Sequence, residues 1–460
     1  VRALFTALCS LLLRIFFRRI DSVDIDRVPR SGPLLYVLNH PNGLLDPLFI
    51  LCESPRPVTF LAKAPLFDTF VVKRFVRAFE CLPVYRAQDG ADTSRNREVI
   101  LAAIELLAGA KVLALFPEGT SHSDPKLRPL KTGAARIALG ASGRSPSAAG
   151  TSDPVRIIPV GIDYSQKTIF RSDALLVYGE PIVAPQLRLD EDMRAPASAV
   201  EALNAEIAAG LGRVTLQADD APTMRLADQA ARILAGARED AGELPFDPFD
   251  LRRRLIQGYR RLRASDPARL DALAEQVRRF EAEMSMLGLP LDHPGALPAR
   301  AIRRYVLEHA VVMPLLLAPA LLGLITHYPA YRLVGWLSLR MSKKEAEGIE
   351  GVDVDEAVTA TFKLIAGFLL FPLTWLVLGA AVGVALRWTW GLLALALLPF
   401  AGLCALLFFE RLDDIRARAR GLWVLTTRTA LTRRLVAERR EIHDAIVALA
   451  EEAWGRGRRR

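Results

Sequence analysis

Residues Lys111 to Asp124 read KVLALFPEGTSHSD. An apolar run too short for a helix stops abruptly at Pro-Glu-Gly-Thr-Ser. Runs of this length, bounded by turn residues, read as buried strands. A strand that ends this way delivers the carboxylate of Glu118, several backbone amides and the hydroxyls of Thr120 and Ser121 to the edge of a sheet. Open α/β sheets bind ligands along the edge formed by the carboxyl ends of their strands. The stretch therefore predicts a fold class and a place for a site, provided that the rest of the chain supplies the other strands.

Similar runs, rich in branched residues, lie on either side: PLLYVLN (33–39), PVTFLA (57–62), VRIIPVGIDY (155–164) and ALLVYGEPI (174–182). Helix-like stretches fall between several of them, at about 64–79, 94–109 and 131–141. Strands alternating with helices predict an α/β domain with a mostly parallel sheet flanked by helices. The segment SGRSPSAAGTSDP (142–154) is a polar loop by composition, and 197–240 is Ala-rich with a helical period.

The candidate chemistry sits at the ends of these runs. His40 follows PLLYVLN within the stretch NHPNGLLDP, Asn39 to Pro47. Two readings fit it. One is a turn in which Asp46 caps the next helix. The other is an imidazole base, with an unperturbed pKa of about 6.5, whose tautomer is fixed by the Asp46 carboxylate. LPVYRAQD (82–89) places Arg86 after another short apolar run, where a guanidinium suits a phosphate bound through two parallel hydrogen bonds. Lys131, opening KTGAARIAL, is either a second cation for the site or the solvated start of a helix. His122 reads as a loop residue rather than a second base. No HExxH or similar histidine pair is present, and Cys9, Cys52, Cys81 and Cys404 are scattered without metal spacing. Neither a metal nor a disulfide framework is expected.

NHPNGLLDP, LPVYR, FPEGTSH and IIPVGIDY, in that order, resemble the four blocks of the glycerolipid acyltransferases, the glycerol-3-phosphate and 1-acylglycerol-3-phosphate acyltransferases. The likeness covers about residues 30–185. It implies transfer of a fatty acyl group from acyl-CoA or acyl carrier protein to a hydroxyl of glycerol 3-phosphate or its 1-acyl derivative, in phospholipid biosynthesis, with no cofactor beyond the thioester substrate. It implies His40 as general base and Asp46 as its partner. Arg86 would bind the acceptor phosphate, with Glu118, Gly119, Thr120 and Lys131 completing the acceptor site. Asn39, Pro117 and Pro159 would support the motifs. One departure stands out: five residues separate His40 from Asp46 where the family usually has four. The dual glycerol-3-phosphate/dihydroxyacetone-phosphate subgroup looks similar in this spacing and in FRSDALLVYGEP (170–181). The departure leaves the acceptor open.

The chain has 460 residues, a formal charge of +9 and a mean hydropathy of +0.22. The apolar excess sits in three uncharged runs, at 310–326, 364–386 and 388–409. The last two are long enough to span about 30 Å of hydrocarbon and are separated by the interface-suited RWTWG. They predict a transmembrane hairpin over 364–409. The positive surplus follows it: residues 411–460 hold 13 Arg against 7 acids. A basic tail beside a membrane segment points to lipid headgroups and away from nucleic acid.

A hairpin returns Lys363 and this tail to one face, and a further crossing at 310–326 would put the N-terminal domain opposite them. With Pro314 and Pro319 inside it, 310–331 is expected to be re-entrant or interfacial. The expected plan is an amphipathic, membrane-associated helix in 1–30, an acyltransferase domain over 31–240, a helical region over 241–305, the membrane region over 306–410 and a basic helical tail over 411–460. The expected location is the inner or an equivalent membrane, with the catalytic domain facing the cytoplasm. Other functions compatible with the sequence are a lysophospholipid-remodelling acyltransferase or transacylase and a non-enzymatic lipid-binding scaffold.

Overall fold

The computed structural model describes residues 2–43, 45–68, 72–86, 92–143, 154–165, 170–190, 194–240, 247–289, 291, 299–346 and 354–454. The chain divides into two compact units, Val1–Leu216 with Leu337–Ile365, and Gln217–Trp336 with Ala366–Arg460.

The first unit is built on an eight-stranded sheet. Its strands are β1 (Phe17–Val23), β2 (Leu34–Leu38), β3 (Val58–Lys63), β4 (Leu82–Val84), β5 (Val112–Leu115), β6 (Arg156–Tyr164), β7 (Ser172–Tyr178) and β8 (Ile182–Val183). They lie in the order β1-β7-β6-β2-β5-β3-β4, with β8 paired to β6. Every pairing is parallel except β6 with β7 and β6 with β8. Helices α1 (Arg2–Phe16), α2 (Leu45–Glu53), α3 (Val72–Ala78), α4 (Asn96–Ala108), α5 (Gly133–Ser142) and α6 (Ala197–Val214) accompany the sheet. Every residue of β2 and of β5 is buried, as expected for parallel strands covered on both faces. This is why LLYVL and VLAL read as continuous apolar runs.

Parallel pairing fixes where the chemistry goes. Strands β6, β2, β5, β3 and β4 point the same way, so the residues after their carboxyl ends share one edge of the sheet. Glycine allows tight packing behind that edge. A Cβ at Gly161 in β6 would overlap the carbonyl of Val214 at the end of α6.

Two expectations about the first unit are revised. The N-terminal helix stops at Phe16, and residues 17–23 of the expected 1–30 element form strand β1 beside β7. The Arg171 guanidinium donates to the carbonyls of Arg14, Ile15 and Phe17, satisfying groups that a helix end leaves open. Cys9, Leu13 and Phe16 pack into the core, while Leu4, Leu11 and Ile15 stay exposed. The first segment of the unit also ends at Leu216, short of the expected 240. Helix α7 (Ala221–Asp240) packs instead with α8 (Pro248–Ser265), α9 (Pro267–Leu287) and α13 (Thr429–Trp454) around Ile233, Leu234, Phe280, Met284, Leu435 and Ile442. The apolar face of the Ala-rich stretch, read as part of the first domain, is the face that this second core needs. Asp247 and Asp266 cap α8 and α9, each followed by Pro at the first helical position.

The second unit also carries most of the long apolar helices. They are α10 (Ala299–Ala346), α11 (Val354–Ala385) and α12 (Trp388–Thr427). Helix α10 continues through Pro314, Pro319 and Pro329, so the prolines of 310–331 do not break it. Helices α11 and α12 meet at a two-residue turn, Leu386–Arg387, as a hairpin requires. Gly379, Gly383 and Gly391 let their backbones approach beside it. Trp375 of α11 donates its indole N–H to His327 Nε2 of α10 at 2.7 Å. Gly323 of α10 packs on the Ala401 carbonyl of α12.

Candidate active site

The loop after β2 and the first turn of α2 bring His40 and Asp46 together. His40 Nδ1 lies 2.8 Å from Asp46 Oδ2. The same oxygen accepts the backbone N–H of Asn42 at 2.7 Å, and Oδ1 accepts the Tyr164 hydroxyl at 2.5 Å. At the start of α2 the Asp46 N–H reaches back to the Asn42 carbonyl at 3.4 Å. The longer spacing therefore leaves the pair in contact.

Asp46 is fully buried. Burial pushes its carboxyl above the ordinary aspartate range, and the hydrogen bonds from His40, Tyr164 and the Asn42 amide pull against that shift. A carboxylate with three donors is an acceptor on both oxygens. Nδ1 of His40 therefore carries the proton in the neutral ring, and Nε2 presents its lone pair. The imidazole lies flat on Phe116, with 3.9 Å between ring centroids and 10° between planes. Phe60 stacks on Phe116 in turn. This packing limits the ring to a narrow range of orientations.

Glu118 follows β5 on the same edge, and its side chain is buried. Oε1 accepts the backbone N–H of His40 at 3.1 Å. Oε2 accepts the backbone N–H of Arg128 at 2.8 Å and meets His122 Nε2 at 2.5 Å. His122 Nδ1 accepts the Asp124 N–H at 3.2 Å, so Nε2 is the nitrogen that donates to Glu118. The carboxylate expected to help form the acceptor site braces the backbone that carries the histidine. His122 does lie in a loop, as its sequence suggested, but it is buried there as a partner of Glu118.

The remaining candidates fall into two groups. Asn39 is structural: its side chain accepts from the Ile162 N–H at 2.7 Å and donates to the Ile162 carbonyl at 3.0 Å, clamping the end of β2 to β6. Pro117 is buried, and its carbonyl accepts the Lys131 N–H at 2.8 Å. Pro159 lies inside β6 opposite Val37, away from the strand ends, and packs against Gly210 of α6. Gly119 has φ +77°, a conformation that favours glycine, and the Lys131 side chain crosses directly over it. Thr120 is half-buried beside it.

Lys131 is exposed, and its ammonium lies next to the Pro-Glu-Gly turn. Arg86 stands two residues beyond β4, on the same edge as His40 but with β5 and β3 between their strands. Asn96 holds the residue before it, accepting the Tyr85 N–H at 2.9 Å and donating to the Tyr85 carbonyl at 2.6 Å.

Sequence reasoning passed over Tyr164 and Phe116. Tyr164 closes the run VRIIPVGIDY, so the strand-end criterion that singled out His40 and Glu118 applies to it equally. Phe116 was visible only as one more apolar residue before Pro117. Nothing in its neighbours signals a ring stacked on the histidine.

Comparison with known proteins gives two family matches. Residues 19–163 match the acyltransferase family. Residues 229–454 match the family described as glycerol-3-phosphate acyltransferase 2 C-terminal domain. An uncharacterized acyltransferase of Schizosaccharomyces pombe is 26% identical, over 79% of this chain and 66% of its own length. Glycerol-3-phosphate O-acyltransferase 2 of Saccharomyces cerevisiae is 28% identical, over 62% of this chain and 38% of its own length. Glycerol-3-phosphate O-acyltransferase 1 of the same yeast is 28% identical over 62% and 37%. The chain thus spans about two-thirds of the first relative and well under half of the other two. The crystal structure of the 1-acyl-sn-glycerophosphate acyltransferase PlsC from Thermotoga maritima aligns with 45% of this chain and 78% of its own, at a TM-score of 0.33 and 20% identity.

Proposed function

We propose that this chain, as a glycerolipid acyltransferase of the glycerol-3-phosphate acyltransferase subgroup, moves a fatty acyl group from a thioester to a hydroxyl of a glycerol phosphate. The observation that carries this reading is the His40–Asp46 pair, held at 2.8 Å on the sheet edge with Nε2 left to accept a proton. The acceptor hydroxyl gives its proton to Nε2 as its oxygen attacks the thioester carbonyl. Asp46 stabilises the imidazolium that forms. The tetrahedral intermediate then collapses, the C–S bond breaks, and the imidazolium returns the proton to the departing thiolate. One ester forms and one thiol leaves, with no acyl-enzyme. General-base assistance of this kind contributes roughly 10²–10⁴-fold.

The donor is acyl-CoA or acyl carrier protein, and the acceptor is glycerol 3-phosphate or its 1-acyl derivative. Arg86 and Lys131 provide cations for the acceptor phosphate, on the same edge as the base. The protein works at a membrane. The exposed Leu4, Leu11 and Ile15 of α1 lie close in sequence to Arg14, Arg18 and Arg19, a pattern suited to a lipid surface. Three helical segments, His309–Met341, Ile365–Ala385 and Trp388–Asp413, are long and apolar enough to cross a bilayer.

The test is a membrane assay with labelled acyl-CoA offered to glycerol 3-phosphate, dihydroxyacetone phosphate and 1-acylglycerol 3-phosphate in turn. His40→Ala should abolish transfer to every acceptor while the protein stays folded. Turnover retained by this variant would refute the mechanism.

A further inference from the structure

We propose that Tyr164 is a positioning residue of this reaction, its phenol O–H holding Asp46 so that the opposite carboxylate oxygen faces His40. The inference rests on the function proposed above and adds a third side chain to its machinery.

The geometry joins three elements. His40 follows β2, Asp46 lies in the first turn of α2, and Tyr164 ends β6. Without Tyr164, the two hydrogen bonds to Asp46 would both fall on Oδ2, from His40 and the Asn42 amide. Among the described residues Oδ1 would then have no donor, and the carboxyl group would lose the contact that opposes its rotation about the Cβ–Cγ bond. The tyrosine supplies that contact at 2.5 Å. Its own ring is fixed by Phe17 and Phe49, each 5.8 Å away between centroids. Tyr164 is 7% exposed, so water is a poor substitute for its hydroxyl.

The titratable groups around the contact are few. His40 and Tyr164 face Asp46, and Asp46 and Asp163 face Tyr164. The side chains that α2 and β1 bring against the tyrosine ring, Phe49 and Phe17, carry no charge. Burial first, then the nearby Asp46 charge, raises the phenol well above its ordinary range, so it remains a donor wherever the enzyme works. A donor to the ionised form of an acid favours that form. Removing it makes Asp46 harder to keep ionised and leaves a less shielded carboxylate beside the imidazole. Both effects move the loss of free base to higher pH.

The experiment is the pH profile of kcat/KM for Tyr164→Phe, with the same donor and acceptor as wild type. The acid limb should rise by about one pH unit and kcat at neutral pH should fall roughly 10-fold, with the acceptor KM little changed. Phe49→Leu disturbs the same aromatic packing without touching the hydroxyl, and its acid limb should stay in place. His40→Ala separates the two readings. If it is inactive while Tyr164→Phe keeps the wild-type profile, the role of Tyr164 is refuted and the proposed function stands. If His40→Ala is active, the proposed function itself fails. Should Tyr164→Phe not fold, site-specific 3-fluorotyrosine at 164 keeps ring and hydroxyl and strengthens the donor. Its acid limb should move down, and an unmoved limb overturns the proposal.

Discussion

Both carboxylate oxygens of Glu118 are engaged by the protein itself, one on the His40 amide and the other on the Arg128 amide and His122. This arrangement separates two roles that the sequence alone leaves merged. Glu118→Gln places an amide N–H₂ against at least one of these donors, and an unmet donor in a buried site costs about 1–3 kcal/mol. The variant should lose stability of that order in thermal unfolding and lose kcat, with the acceptor KM close to wild type. A large rise in KM with unchanged stability would make Glu118 a substrate ligand after all. Arg86 is expected to behave in the opposite way. Arg86→Ala should raise the acceptor KM by about 10- to 100-fold, the size of a lost charge-assisted hydrogen bond, and leave the melting temperature within a few degrees. An unchanged KM for glycerol 3-phosphate and its 1-acyl derivative would remove the arginine from the phosphate site.

At the scale of elements, strands β2 and β5 were legible because burial on both faces turns them into uninterrupted apolar runs. Helices α4 and α5 were legible from their period. Strand β1 was not. Residues 17–23 continue a basic, apolar stretch that reads as the end of α1, and only the vacant edge of β7 and the Arg171 cap turn them into a strand. The close contact of α6 with β6 was equally hidden, since a lone glycine in a strand has several explanations. Gly161→Ala should destabilise the first unit by about 1–3 kcal/mol through forced displacement of the α6 carboxyl end. Denaturant unfolding measures this, and a wild-type midpoint would show that α6 can yield at no cost.

For the molecule as a whole, the packing of α13 constrains the path through a membrane. Helices α7, α8 and α9 precede the three apolar helices and α13 follows them, yet all four share one core. Elements that pack together in water lie on one face of the bilayer, so an even number of crossings separates Leu287 from Thr429. On this packing the three candidate helices are not expected all to cross. Helices α11 and α12, joined by two residues, are expected to cross as a pair, and α10 is then expected to make no net crossing. Cysteines placed at the exposed positions Ser265, Arg387 and Arg440 should test this in sealed vesicles. Positions 265 and 440 should label from one side and 387 from the other. Labelling of 265 and 440 from opposite sides would sink the even-crossing path.

The sequence by itself pointed to the class of fold, to most of its strands, and to His40, Asp46 and Glu118 as polar side chains just past their carboxyl ends. Each of these follows from local pattern: apolar runs, turn residues, and polar side chains just past a strand. Only the tertiary structure decided what those side chains do for one another. Glu118 became a brace, Tyr164 joined the carboxylate from another strand, and α7 moved to the second core, because hydrogen-bond partners and packing faces are chosen across the chain. The five-residue spacing shows the difference most directly. In the sequence it sets His40 and Asp46 one residue further apart than usual, and in the folded chain the pair still stands at hydrogen-bond distance.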